Sequence, residues 1–133
     1  MADPIKASEG FPPWLRLRRT ADYRRVQRRG RRHHRELLVT LHASNGLDHP
    51  RFGLTVSRKV GNAVVRNRVK RRLRDAIRRH PASRDGSLSG IDVVFIARSR
   101  AAEATGHDLR DAVGEALAAV IHQRGAYAAP SGA

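Results

Sequence analysis

The feature that most constrains this chain is a helical pattern of apolar residues inside a strongly basic segment, SRKVGNAVVRNRVKRRLRDAIRRH, residues 57–80. At about 100° per residue, apolar and basic side chains fall on opposite faces of a helix. The apolar stripe consists of Val65, Val69, Leu73, Ala76 and Ile77. The opposite face consists of Asn67, Lys70, Arg71, Arg74 and Arg78. We predict a helix over residues 63–79, with Asn62 as its N-cap and one face packed on a sheet.

The basic face of this predicted helix carries charges that repel one another. Lys70 and Arg74, and Arg74 and Arg78, lie four residues apart, a spacing at which like charges cost a few tenths of a kcal/mol. No Glu is placed to offset them. The pattern favours a face that binds anions, and the alternative is a basic face that is only solvated.

The charge of the whole chain points to the same class of partner. The net charge is +15, and residues 16–35 and 58–79 each carry +9, which leaves −3 for the rest of the chain. Two concentrated basic blocks predict a polyanion partner, with nucleic acid favoured over an anionic membrane. Contacts to phosphate provide affinity without reading sequence. Aromatic residues are scarce, and Tyr23 is the best candidate for stacking on a base, with a core role as the alternative.

The remaining pattern predicts one α+β domain. We expect a short helix from Thr20, as its cap, to Gly30, strands over 36–43, 51–57 and 91–99, and a last helix over 105–123 followed by Gly125. The strand at 91–99 is nearly all apolar, which is typical of a central strand. We predict a disordered tail at 1–14, a domain at 15–123 and a flexible tail at 124–133.

Several function classes lack support in the sequence. Cysteine is absent, which excludes disulfides and thiolate metal sites. No apolar run is long enough to span a bilayer and no secretory signal begins the chain, so we expect a cytoplasmic protein without a membrane partner. No HExxH, GxSxG, EF-hand or P-loop motif occurs, and the seven His residues have no ligand spacing. We expect neither catalytic nor metal-binding residues.

The stretch RFGLTVSRKVGNAVVRNRVKRRLRDAIRR resembles the bacterial ribonuclease P protein subunit, with all three parts of the family pattern in order and at the family spacing. The flanking ADYRRVQRRG and DVVFIARS resemble the first helix and last strand of the family. The resemblance covers roughly residues 15–123. It implies a single-domain αβββαβα sandwich with helices on a mostly antiparallel sheet and a left-handed βαβ crossover, as in the second domain of ribosomal protein S5. A further short strand is implied near residues 31–35.

The resemblance also implies a function. The chain would be the RNA-binding subunit of ribonuclease P, an endoribonuclease that hydrolyses precursor tRNA to remove the 5′ leader. Its partners would be the catalytic RNA and precursor tRNA, with no DNA, and its cofactor Mg²⁺ would be held mainly by the RNA subunit and the substrate. Two alternatives remain: a structural RNA-binding protein of the ribosomal type, and a stand-alone nuclease that uses His and Lys.

The resemblance assigns roles to individual residues. The RNA-facing motif would comprise Arg66, Asn67, Arg68, Lys70, Arg71 and Arg74, to which the outward face of the helix adds Arg78. The turn before the motif would comprise Lys59, Gly61 and Asn62. A cleft for the single-stranded leader would be lined by Tyr23. The family usually has a second aromatic residue at the position of Gln27, so stacking there would be weaker or pass to another residue such as Phe52.

Overall fold

The computed structural model describes residues 15–132, with side chains described as far as Arg124. The elements follow one another in the order αβββαβα. They are α1 (Thr20–Arg29), β1 (Arg31–His34), β2 (Leu38–Ser44), β3 (Arg51–Thr55), α2 (Ala63–Arg79), β4 (Ile91–Ala97) and α3 (Gly106–Gly132). Short 3₁₀ helices lie at Pro81–Ser83 and Ser99–Glu103. The predicted tail at 1–14 lies outside the described residues, and the predicted domain borders stay predictions.

The four strands form one mixed sheet in the order β1-β2-β4-β3. β4 is antiparallel to β2 and parallel to β3, so α2 is the crossover that joins two parallel neighbours. The central position predicted for β4 is confirmed. β1 is the short strand implied by the resemblance, and it pairs with β2. The left-handed sense of the crossover stays a prediction.

Helices cover both faces of the sheet, which explains why β4 is apolar along its length. Val93 and Phe95 are buried with the apolar stripe of α2 and with α3, whereas Val94 is buried on the other face with Val26 of α1. The predicted stripe of α2 is confirmed, because Val69 and Leu73 are fully buried and pack in the larger core.

Some local details differ from the sequence prediction. Thr20 is the first residue of α1 rather than its cap, and Arg19 at the cap position makes no side-chain hydrogen bond. β2 begins at Leu38, two residues later than expected. α3 continues through Gly125 instead of ending before it. Before α1, the Leu17 N–H donates to the carbonyl oxygen of Phe52 at 2.9 Å, so this segment runs along the open edge of β3.

Candidate nucleic-acid interface

The outer face of α2 presents unpaired cations. Arg71 and Arg74 are exposed and Lys70 is half-buried. Asn67 and Lys59 are also exposed. In the part of the chain that the structure describes, no ion pair neutralises Lys70, Arg71 or Arg74. The predicted basic row is therefore present and open to an anionic partner.

Arg78 corrects the prediction for the end of this row. Its residue exposure is only 6%, and its guanidinium donates to Asp75 one helical turn earlier. Arg79 also donates to Asp75, at 2.9 Å. The helical angle alone places Arg78 on the outward face, and this prediction was wrong. The ion pair with Asp75 holds the side chain in a buried position.

Arg66 and Arg68 of the Arg-Asn-Arg sequence are half-buried, as is Arg72 one turn later, and two of these three arginines bond to the segment between β4 and α3. The Arg68 Nη2 donates to the carbonyl oxygen of Ala102 at 3.1 Å, and Arg72 donates to that of Ala104 at 2.6 Å. The Nε groups of Arg66 and Arg68 are buried without a hydrogen-bond partner among the described residues. A buried N–H without an acceptor is costly, so the oxygen of an internal water molecule would stabilise both groups.

The turn before α2 is built by local contacts. The Asn62 Oδ1 accepts from the N–H of Val65 at 3.0 Å, which confirms the predicted N-cap. A Cβ at Gly61 would lie 2.9 Å from the Cβ of Val65, so a side chain there would collide with the first turn of the helix. Gly61 and Asn62 therefore have structural reasons for their identity, whatever they contact in a complex.

A cleft of about 250 Å³ opens at the edge of β3, between α2 and the segment before α1. Tyr23 lines the cleft together with basic residues from both of these segments. The lining consists of Arg16, Leu17, Arg18, Tyr23, Phe52, Leu54, Lys70 and Arg74. The structure thus brings Tyr23 together with two residues of the predicted RNA-facing row. Arg16 and Arg18 were not predicted to line it, because they lie in no regular element and sequence gives no means to place them.

Tyr23 is half-buried over Gly53, where a Cβ would come within 2.5 Å of its hydroxyl oxygen. Burial raises the pKa of Tyr23, and a hydrogen bond with the Leu54 backbone acts in the opposite direction. The other two residues predicted for the cleft do not serve as stacking surfaces. Phe52 is only 2% exposed and belongs to the core, and Gln27 is exposed on α1 outside the cleft lining.

Part of the basic block at 16–35 is neutralised inside the molecule. The carboxylate of Asp92 is fully buried and pairs with Arg25 and Arg51. The hydrogen bond with Asp92 is also the main reason that the pKa of Arg51 is raised. The sequence contained one sign of this pairing. Asp92 is a single acidic residue within the apolar strand IDVVFIA, and a carboxylate buried in such a strand needs a cationic partner.

Comparison with known proteins identifies the family to which this chain belongs. The model of the Ribonuclease P family matches residues 11–120. A ribonuclease P protein component from Xanthomonas axonopodis pv. citri is 43% identical over 124 residues, covering 92% of this chain and 79% of the relative. One from Caldanaerobacter subterraneus subsp. tengcongensis is 37% identical over 102 residues, covering 77% and 85%. The chain belongs to the bacterial ribonuclease P protein family.

Solved structures of ribonuclease P proteins have the same fold. The Staphylococcus aureus protein matches with a TM-score of 0.71 and 29% identity, over 80% of this chain and 94% of that one. The Thermotoga maritima protein matches with a TM-score of 0.64 and 31% identity, over 81% and 96%. As a ribonuclease P protein component, the chain supports tRNA 5′ processing and has the ribonuclease P RNA as its partner.

Two features are absent from the described residues of this ribonuclease P protein. None of its described helices is long and apolar enough to cross a membrane. Within the same residues, no group of three or more His, Cys, Asp or Glu side chains is arranged to hold a metal ion.

Proposed function

We propose that the chain binds the ribonuclease P RNA through the outer face of α2 and holds the 5′ leader of precursor tRNA in the cleft over Tyr23. In this role it assists the endonucleolytic hydrolysis that leaves the mature 5′ end of tRNA. One observation carries the proposal: a single cleft combines a half-buried aromatic ring with Lys70 and Arg74 of the basic row. A single strand offers both groups that such a cleft fits, a π-face and a row of phosphates.

The proposed role of the cations is to gather phosphates that would otherwise repel one another. Each Lys or Arg that neutralises a phosphate releases a counterion, which gives affinity that weakens as salt rises. Arg71 and Arg74 have no internal partner among the described residues, so binding would break no ion pair.

The proposed role of Tyr23 is to stack on a base of the leader. Stacking on one aromatic ring contributes about 1–3 kcal/mol and tolerates any base. Gln27 provides no ring, and Phe52 is buried, so in this proposal a single stacking residue serves the leader. We therefore expect little preference for leader sequence from this cleft.

We assign the chemical step to the RNA subunit. The cofactor in this proposal is Mg²⁺, held mainly by that RNA and the substrate, where it would activate the attacking water. The chain itself would orient the leader and lower the repulsion between RNA strands. We also propose that it acts in the cytoplasm.

Reconstitution tests this assignment. Cleavage of precursor tRNA is measured with the protein alone, with the ribonuclease P RNA alone, and with both, over a range of Mg²⁺ concentrations. We expect no cleavage by the protein, and a gain from adding protein that is largest at low Mg²⁺. A structural RNA-binding protein of the ribosomal type would bind RNA but give no gain. Cleavage by the purified, RNA-free protein would overturn the proposal in favour of a stand-alone nuclease.

A further inference from the structure

A buried ion-pair network lies where α1 meets the ends of three strands. At its centre is Asp92, whose side chain has no exposed surface. The Arg51 Nε and Nη2 donate to its two oxygens at 2.9 and 2.8 Å, and the Asn45 side-chain amide donates at 2.9 Å. The remaining donor is Arg25, which reaches Asp92 from α1.

This network holds α1 at two positions that lie about one helical turn apart, Asp22 and Arg25. The Arg25 Nη1 also donates to the carbonyl oxygen of Ser44 at 2.5 Å, and Asp22 lies 3.4 Å from the Arg51 guanidinium. Val26, the fully buried residue of α1, packs on the sheet beside them. α1 packs on the sheet through Val26 and the partly buried Tyr23 ring, and the ion pairs at Asp22 and Arg25 add the contacts that fix its rotation about its own axis.

The rotation of α1 decides where Tyr23 lies, because Tyr23 is next to Asp22 and on the same short helix. We propose that Asp92 and Arg25 form a positioning pair, which sets the orientation of α1 and thereby places the Tyr23 ring in the cleft. Neither side chain lines the cleft. The inference rests on the proposed function, in which Tyr23 contacts the leader.

Arg25 can be removed without leaving a buried charge unpaired in the sheet and without removing a contact to RNA. Without Arg25, Asp92 still has the two-pronged contact of Arg51 and the amide of Asn45, so the charge stays compensated. Arg25 already has an internal carboxylate, so it is not available to neutralise a phosphate. Its removal therefore loosens α1 without removing a phosphate contact.

Arg25→Gln in the full chain tests the proposal, with Arg24→Gln as the matched control. Arg24 is the exposed neighbour on the same helix, and both changes remove one charge. Dissociation constants of the reconstituted ribonucleoprotein are measured for precursor tRNA and mature tRNA over a range of salt. We expect Arg25→Gln to lose about tenfold of the preference for leader-bearing substrate, comparable to one stacked base, with an unchanged salt slope. We expect Arg24→Gln to keep the preference.

Tyr23→Ala and the double variant distinguish the possible failures. If Tyr23→Ala leaves the preference intact, the proposed function of the cleft fails. If Tyr23→Ala abolishes it but Arg25→Gln does not, only the positioning role is overturned. We expect Arg25→Gln/Tyr23→Ala to bind like Tyr23→Ala alone, because both act through one ring. Additive losses would contradict the inference.

A spectroscopic measurement reports the position of the ring directly. The chain has two tyrosines, so labelling with 3-fluorotyrosine gives two ¹⁹F resonances, which Tyr127→Phe assigns. We expect Arg25→Gln to shift the Tyr23 resonance and Arg24→Gln to leave it in place. Arg25→Lys, which keeps a cation within reach of Asp92, should recover part of the native shift and of the leader preference. An unmoved resonance in a folded Arg25→Gln variant would overturn the proposal.

Discussion

At the scale of single residues, α2 separates cations that are available to a partner from cations that are already paired. Arg71 and Arg74 are exposed, whereas Arg78 is buried against Asp75. We expect Arg71→Ala and Arg74→Ala each to weaken binding to the ribonuclease P RNA and to flatten the salt dependence by about one unit of slope.

Arg78→Ala is the control for this prediction. It should lower the free energy of unfolding by about 2 kcal/mol, the scale of a hydrogen bond to a charged group, and leave the slope unchanged. The measurements are RNA binding as a function of salt and unfolding in urea. Unchanged slopes for both Arg71→Ala and Arg74→Ala would remove the outer face of α2 from the interface.

Gly53 offers a second test at this scale, because it leaves the space that the Tyr23 ring occupies. A Cβ at position 53 would lie 2.5 Å from the Tyr23 hydroxyl oxygen, so Gly53→Ala must displace the ring. We expect it to lose about 1–3 kcal/mol of binding energy for leader-bearing substrate, as Tyr23→Ala does, with mature tRNA unaffected. Gly114→Ala is a suitable control, since the nearest atom would be 4.0 Å away. Equal losses for both substrates would return Tyr23 to a purely structural role.

At the scale of elements, the N-terminus of α2 depends on one side chain. Asn62 accepts from the Val65 N–H, so Asn62→Ala should lower the free energy of unfolding by about 1 kcal/mol. Asn62→Ser keeps an oxygen at the cap and should restore most of this loss. Urea unfolding of the three proteins tests the prediction. If the Ser variant is as unstable as the Ala variant, the cap contributes little and the Asn62 amide has another function.

The elements that sequence predicted well are those whose signal is local. The 100° pattern predicted the buried face of α2, its cap Asn62 predicted where the helix begins, and the apolar run from Ile91 predicted the central strand. β1 reads Arg-Arg-His-His and has no apolar pattern, so its strand comes from pairing with β2. Two cations could not be predicted correctly. Arg78 is paired with Asp75 within α2, and Arg25 is paired with Asp92 across elements. A count of charges along the sequence does not distinguish such paired arginines from arginines that are free to bind a partner.

At the scale of the whole molecule, some arginines are paired with carboxylates while others stay open to a partner. Carboxylates inside the fold neutralise Arg25, Arg51 and Arg78, and other carboxylates collect in a separate groove of about 440 Å³. Its acidic lining residues are Glu36, Glu103, Asp108, Asp111 and Glu115. Arg72 of α2 donates to the carbonyl oxygen of Ala104, which lines this groove, so the acidic groove adjoins the helix that carries the basic row.

The pH dependence of stability is also a property of the whole fold, because folding buries His42 fully and His80 in part. Burial is the main cause of the lowered pKa of His42, and His33 and Arg31 add repulsion, whereas the hydrogen bond that His42 Nε2 donates to Gln123 Oε1 opposes the shift. Burial likewise lowers the pKa of His80. Since the folded protein resists protonation at these groups, the unfolded chain takes up protons first as the pH falls below about 6.5.

Stability should therefore be fully present above about pH 6.5 and decline below it, until the lowered pKa values of the folded protein are reached. One such group contributes at most about 1.4 kcal/mol per pH unit. We expect His42→Gln to have a shallower decline than the native chain between pH 7 and 5, since the buried site no longer titrates. Replacing the exposed His34 by Gln serves as the control. Urea unfolding at several pH values decides the matter, because a decline in His42→Gln as steep as the native one would place the acid sensitivity in other groups.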